Sequence, residues 1–151
     1  MNKIEPPYIV PHSPKWGADG TLHHTTKAGS NDWRTPQAFF DTLHAEFEFE
    51  IDAAASPENA MLPRYWTEGD DALAQDWTKF GSVWVNPPYG RGIEKWMQKA
   101  WESSRIATTV CLLTFVRTDT KWWADWAWKA TDWRLVQGRL TFEPPNGYAG
   151  K

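Results

Sequence analysis

Cysteine is almost missing from this chain. Cys111 is the only one, which excludes an internal disulfide, and its place inside the apolar run Val110-Cys111-Leu112-Leu113 fits a small buried hydrophobe better than a nucleophile. A reducing, cytoplasmic compartment is the matching expectation. Histidine is scarce too: His12, His23, His24 and His44 have no metal-binding spacing, so no metal site is expected. No apolar run approaches the length that spans a bilayer, and Met1 to Val10 carries prolines and a glutamate where a secretory signal would need a basic start and an apolar stretch. The expectation is a soluble protein that is not exported.

Net charge is small, −3, but unevenly placed: residues 1–80 hold 6 Lys+Arg against 13 Asp+Glu, and residues 81–151 hold 10 against 6. An acidic half suits a cationic small molecule and a basic half suits phosphates, although an unevenly charged solvated surface accounts for the pattern equally well. What the chain has in excess is tryptophan, 12 in 151 residues, with Trp122, Trp123, Trp126 and Trp128 close together. Aromatic platforms stack nucleobases, yet large aromatics dominate core burial in any domain, so most are expected in the core and its rim. The length and the 41% hydrophobic content allow one domain with a real core.

Residues 1–30 show no apolar period and read as a flexible N-terminal arm. Order is expected from Thr35-Pro36, a threonine N-cap and a first-turn proline ahead of Phe39, Phe40, Leu43 and Phe47 at helical spacing. Phe47 to Ile51 alternates like a strand and ends at Asp52-Ala53-Ala54-Ala55-Ser56. Residues 57–80 have little pattern. Ser82-Val83-Trp84-Val85 reads as a short buried strand, and Ile93, Trp96, Met97, Ala100 and Trp101 share one helical face. Thr108 to Val116 reads as a central strand covered on both faces, 120–130 as a second amphipathic helix, and Trp133 to Phe142 as a last strand or strand pair. Strand and helix alternating in this order predict an α/β fold with a mostly parallel sheet. Ligands then bind beyond the carboxyl ends of the strands, where both Asp52 and Asn86 fall.

The segment that carries chemistry is Asn86-Pro87-Pro88-Tyr89. An amino group conjugated to an aromatic base is a poor nucleophile because its lone pair is delocalised into the ring. Two acceptors aimed at its hydrogens localise that pair, here the Asn86 side-chain carbonyl and the Pro87 backbone carbonyl, in a loop stiffened by the proline pair. Tyr89 is placed to stack on a base rotated out of its duplex. Asn, Pro and Gly are also ordinary turn formers, but the tetrapeptide arises by chance in a chain of this length only on the order of once in a thousand. Asp52 and Asp71 are unremarkable acids individually.

Together these residues resemble the small phage-type DNA N6-adenine methyltransferases of the Dam family. The resemblance covers most of Asp32 to Phe142. It rests on Asp32-Trp33-Arg34-Thr35-Pro36 with Phe39, on Ile51-Asp52-Ala53-Ala54-Ala55-Ser56, and on Asp71-Ala72-Leu73 with Trp77. It continues through Val83-Trp84-Val85-Asn86-Pro87-Pro88-Tyr89-Gly90, Arg117-Thr118-Asp119-Thr120 with Trp122, and Gly138-Arg139-Leu140. It implies a Rossmann-like, S-adenosyl-L-methionine-dependent fold as a single methyltransferase domain over 31–151. It also implies a cofactor site at Trp33, Thr35, Pro36, Asp52, Ala53 and Asp71, with Asn86, Pro87, Pro88 and Tyr89 as the catalytic loop. Arg91, Arg117, Lys121 and Trp122 become the candidate contacts to double-stranded DNA bearing a flipped adenine.

The sequence departs from the family pattern in three places. The cofactor loop Asp52-Ala53-Ala54-Ala55-Ser56 has no glycine, the interval from Asp52 to Asp71 is too short for a full helix and strand and so leaves the ribose-binding acid unassigned, and Lys151 follows soon after Phe142, so the expectation is a trimmed form or a sheet lacking its last strand or strands. A catalytically silent remnant that binds cofactor or DNA, and a methyltransferase acting on protein glutamine or RNA, stand as the alternatives.

Overall fold

The computed structural model describes residues 33–145; the arm expected at 1–30 lies outside them. The first helix, α1 (Gln37–Phe47), begins later than its sequence signal suggests. Pro36, not Thr35, is the N-cap: its φ is −55° and ψ 129°, its carbonyl accepts from the Phe39 and Phe40 N–H groups, and no side chain caps the helix. Proline suits this position because it brings no N–H of its own to be left unpaired. Thr35 turns inward instead, only 2% exposed. At the other end Glu48 adopts the left-handed region (φ 48°) and its N–H closes on the His44 carbonyl. That turn keeps Phe47 in the helix and postpones the strand expected from Phe47, which is reduced to β1 (Ile51–Asp52).

β2 (Ser82–Val85) lies between β1 and β3 (Thr109–Leu112), all parallel. Ile51 and Asp52 pair with Val83 and Trp84, and Ser82 to Val85 pair with Thr109 to Leu112. Parallel neighbours require a crossover; α2 (Ile93–Ser104) makes the one from β2 to β3. Between β1 and β2 the chain crosses through single 3₁₀ turns at Glu68–Asp70 and Trp77–Lys79.

Strand alternation sorts the core into two layers. Trp84, with Cys111 and Leu113, packs toward Phe39, Phe40 and Leu43 of α1, together with Phe49 and Met61. Ile51, Ala53, Val83 and Val85, with Val110 and Leu112, pack toward Trp77 and toward Trp96 and Ala100 of α2. Each fully buried large side chain, such as Phe40, Trp77 or Trp84, contributes about 1.5–3 kcal/mol. Tryptophan is thus partly a core residue here, as expected.

Three expectations for the C-terminal part are corrected. β3 is not a central strand: among the described residues it is the edge of the sheet, and its residues are exposed or half-buried. The helix expected over 120–130 is α3 (Lys121–Asp125) followed by a 3₁₀ turn at Ala127–Lys129. Trp126 leaves helical geometry at φ −127° and packs on Trp101, ring centroids 5.5 Å apart. Residues 133–142 form no strand. They lie along α1, where Val136 and Leu140 pack on its core layer and the Arg134 guanidinium bonds both oxygens of Glu46 at 2.5 and 2.6 Å. Val136 and Leu140 gain burial in that layer without a ladder partner, while Leu135 stays exposed. Cys111 is half-buried, and desolvation pushes its thiol up to about 12, which keeps it inert.

Candidate active site

β1 ends at Asp52 and β2 runs into Asn86, so the adjacent parallel strands present both residues at one edge of the sheet. Asp52 is 2% exposed. One carboxylate oxygen accepts the Ala54 N–H at 3.3 Å and the other the Met61 N–H at 3.1 Å. Desolvation dominates these bonds and raises its pKa from 3.8 to about 6. Its backbone is engaged as well. The Asp52 N–H donates to the Arg64 carbonyl and the Asp52 carbonyl accepts from Trp66, a parallel bridge to Tyr65 on the strand's free side. The chain therefore returns to the sheet next to β1 without an intervening helix. The loop 53–61, which has no glycine, is tied near both ends by one buried carboxylate and within by the Asn59 side chain, which accepts the Ser56 N–H at 2.6 Å.

That return also brings further acids to the same edge of the sheet. Glu68, exposed, follows the Tyr65–Trp66 bridge at the carboxyl end of the added row. Asp70, just beyond it, is engaged by the Thr67 N–H and hydroxyl, both at 2.7 Å. Asp71 is exposed and left-handed at φ 48°.

The Asn86 loop is built differently. Pro87 is fully buried while Pro88 and Tyr89 face outward, and all peptide bonds of the described residues are trans. Gly90 at φ 126° and Gly92 at φ 91° turn the chain from the loop into α2, conformations that side-chain-bearing residues rarely adopt. Arg91 stands exposed between them. The Asn86 carboxamide is held at both ends: Nδ2 donates to Thr35 Oγ1 at 3.3 Å, and Oδ1 accepts the Tyr89 hydroxyl at 2.8 Å. Desolvation raises the Tyr89 pKa further above its ordinary value, so the phenol stays a donor.

Sequence reasoning missed Phe115. Its ring lies 4.4 Å from that of Tyr89 with 42° between planes, and Phe142 closes from the side at 6.5 Å. Phe115 keeps 46% of its surface exposed. The signal was available: an apolar run ending at the carboxyl edge of the strand after the loop.

The family model for DNA N-6-adenine-methyltransferase (Dam) matches residues 23–149. The chain belongs to the Dam family. It is 27% identical over 119 residues to the DNA N-6-adenine-methyltransferase of Escherichia phage T1, covering 78% of this chain and 50% of that protein. To the enzyme of the same name from Haemophilus phage HP1 it is 28% identical over 104 residues, covering 68% and 60%. The chain thus spans about half of those curated relatives' length. No solved structure matches it.

The Dam-family assignment fits the parallel sheet and the placement of Asp52 and Asn86 at its carboxyl edge. It also makes the charged residues beyond β3 of interest. Arg117 is held by Asp119 through two bonds of 3.0 and 3.1 Å, and Lys121 is bonded to Asp125. Trp122 is half-buried with its ring edge-on to Trp123. Among the described residues no cluster of ligating side chains could hold a metal, and no helix is long and apolar enough to cross a membrane.

Proposed function

We propose that this protein transfers a methyl group from S-adenosyl-L-methionine to the N6 amino group of adenine in double-stranded DNA. The observation that carries the reading is the Asn86 carboxamide, held by two hydroxyls at the carboxyl end of β2 with aromatic rings beside it. Asn86 Oδ1 and the Pro87 carbonyl accept the two amino hydrogens and localise the nitrogen lone pair. Tyr89 and Phe115 hold the flipped base by stacking, which offsets part of the unstacking cost. Asn86 is neutral and orients the nucleophile without taking its proton, which passes to water once the N–C bond has formed.

The donor set at this edge fits the cofactor. Exposed carboxylates at Glu68 and Asp71 suit a hydroxyl-bearing, cationic ligand, and the backbone of 53–61 is fixed by Asp52. Trp33, Pro36, Ala53 and Asp71 form the remaining wall, and Glu68 takes the ribose hydroxyls. When bound, the cofactor supplies an electrophilic methyl carbon. Asp52 acts mainly through the loop it shapes. Arg91, Arg117, Lys121 and Trp122 contact the DNA, with Arg117 and Lys121 exchanging their carboxylate partners for phosphates. A DNA substrate places the enzyme inside the cell.

The test is transfer of labelled methyl to unmethylated duplex DNA, protein and RNA in parallel, followed by nucleoside analysis. N6-methyladenine in DNA confirms the proposal. Label only in protein or RNA assigns another acceptor, and no transfer by protein that binds the cofactor identifies a silent remnant.

A further inference from the structure

A carboxamide has a donor end and an acceptor end of nearly equal size. Only one orientation of Asn86 is useful: with Nδ2 toward the base, its N–H groups would face the amino hydrogens, donor against donor. Something must select the orientation, and its two neighbours are unequal. A phenol donates well and accepts poorly, because its oxygen lone pair is conjugated with the ring. An aliphatic hydroxyl accepts better. Tyr89 therefore takes Oδ1, and Thr35 takes Nδ2 at 3.3 Å from a position 51 residues away in the chain.

Thr35 is well placed to be a fixed reference. It is 2% exposed. The residue before it, Arg34, pairs with Glu143 through two backbone bonds of 2.9 Å, and the residue after it caps α1. Tyr89, by contrast, is 38% exposed, on the outer side of its loop.

We propose that Thr35 is a positioning residue for the methyl transfer, its hydroxyl holding Asn86 with the carbonyl toward the base. This rests on the assignment of Asn86 as acceptor of the amino hydrogens. It separates Thr35 from the cofactor wall, where its role would be contact with the methyl donor. A carboxylate has no donor end, so the requirement disappears when residue 86 is an aspartate.

The experiment compares wild type with Thr35→Ser, Thr35→Val, Asn86→Asp and the Thr35→Val/Asn86→Asp pair. It reads kcat, KM for DNA, cofactor Kd by calorimetry, and hydrogen exchange of the assigned Asn86 side-chain amide by NMR in the free protein. Thermal unfolding identifies any variant that fails to fold. Thr35→Val lowers kcat about tenfold with cofactor affinity within about twofold, and Thr35→Ser restores it. The Asn86 amide loses protection in Thr35→Val and keeps it in Thr35→Ser. In the Asn86→Asp background Thr35→Val changes kcat less than about twofold. Parallel loss of cofactor affinity in both backgrounds, or an Asn86 amide equally protected in Thr35→Val, overturns the proposal. If Asn86→Asp is inactive, or Thr35→Val does not fold, the amide exchange of wild type against Thr35→Ser and Thr35→Ala decides instead. Failure of the underlying reading is distinct: full activity of Asn86→Ala removes Asn86 from the reaction whatever Thr35 does.

Discussion

Two neighbouring strand ends do opposite things with similar side chains. At the end of β1, Asp52 is buried and both its oxygens are taken by backbone N–H groups of the loop it shapes. At the end of β2, Asn86 is half-buried, its carboxamide is held only by hydroxyls, and the rings beside it are exposed. Backbone partners of a buried carboxylate cannot leave without unpairing two buried groups, whereas a hydroxyl partner rotates away at small cost. Under the proposed function, the difference casts Asp52 as building the site and Asn86 as working in it.

The sharpest break in that comparison comes from paired removal. Asn86→Ala is expected to lower kcat about 10²–10³-fold, as loss of one charge-organising group does, while cofactor affinity stays within about twofold. Asp52→Ala is expected to lose stability by roughly 2–4 kcal/mol, since two N–H groups are left unpaired, and cofactor affinity with it. Calorimetric binding beside single-turnover kinetics checks both. Equal loss of cofactor affinity in the two variants would erase the distinction.

pH sharpens it next. Burial holds the Asp52 carboxyl at about 6 against an ordinary 3.8, so between these values the native state keeps a proton that the unfolded chain has released. This contribution to stability is fully present below about pH 4, declines as pH rises through about 6, and is gone above it, a change on the order of 3 kcal/mol. Exposed carboxylates with lowered pKa values, such as Asp70 held by Thr67 and Asp119 held by Arg117, pull the other way. Urea unfolding of wild type against Asp52→Asn across this range isolates the effect; a gap independent of pH would mean that the carboxyl is not desolvated.

Smaller effects belong to the open side. Phe115→Ala is expected to raise KM for DNA about tenfold, the worth of one stacked base, with cofactor binding unchanged by calorimetry. Asp119→Asn frees Arg117 from an exposed pair worth well under about 1 kcal/mol. DNA affinity should rise no more than a few-fold, with a steeper dependence on salt in a titration series; weaker binding would show that Asp119 itself serves the interface.

Much of the site was legible because its signals are local. A buried apolar strand ahead of Asn86-Pro87-Pro88-Tyr89 and apolar residues at helical spacing from Ile93 each act within a few residues. The failures are equally specific. Thr35 looked like an N-cap because threonine before proline usually is one, and only the approach of Asn86 gave its hydroxyl another partner. Residues 133–142 carried apolar side chains suited to a strand, but α1 offered them a surface and no strand offered them a ladder.

The sequence by itself determined that a parallel α/β sheet would bring Asp52 and Asn86 to one edge, because hydrophobic period and strand-to-loop transitions are properties of contiguous residues. Only the tertiary structure decided which groups close on those residues. Thr35 on Asn86 and Phe115 on Tyr89 are contacts between segments distant in the chain, and packing, not local propensity, selects such partners.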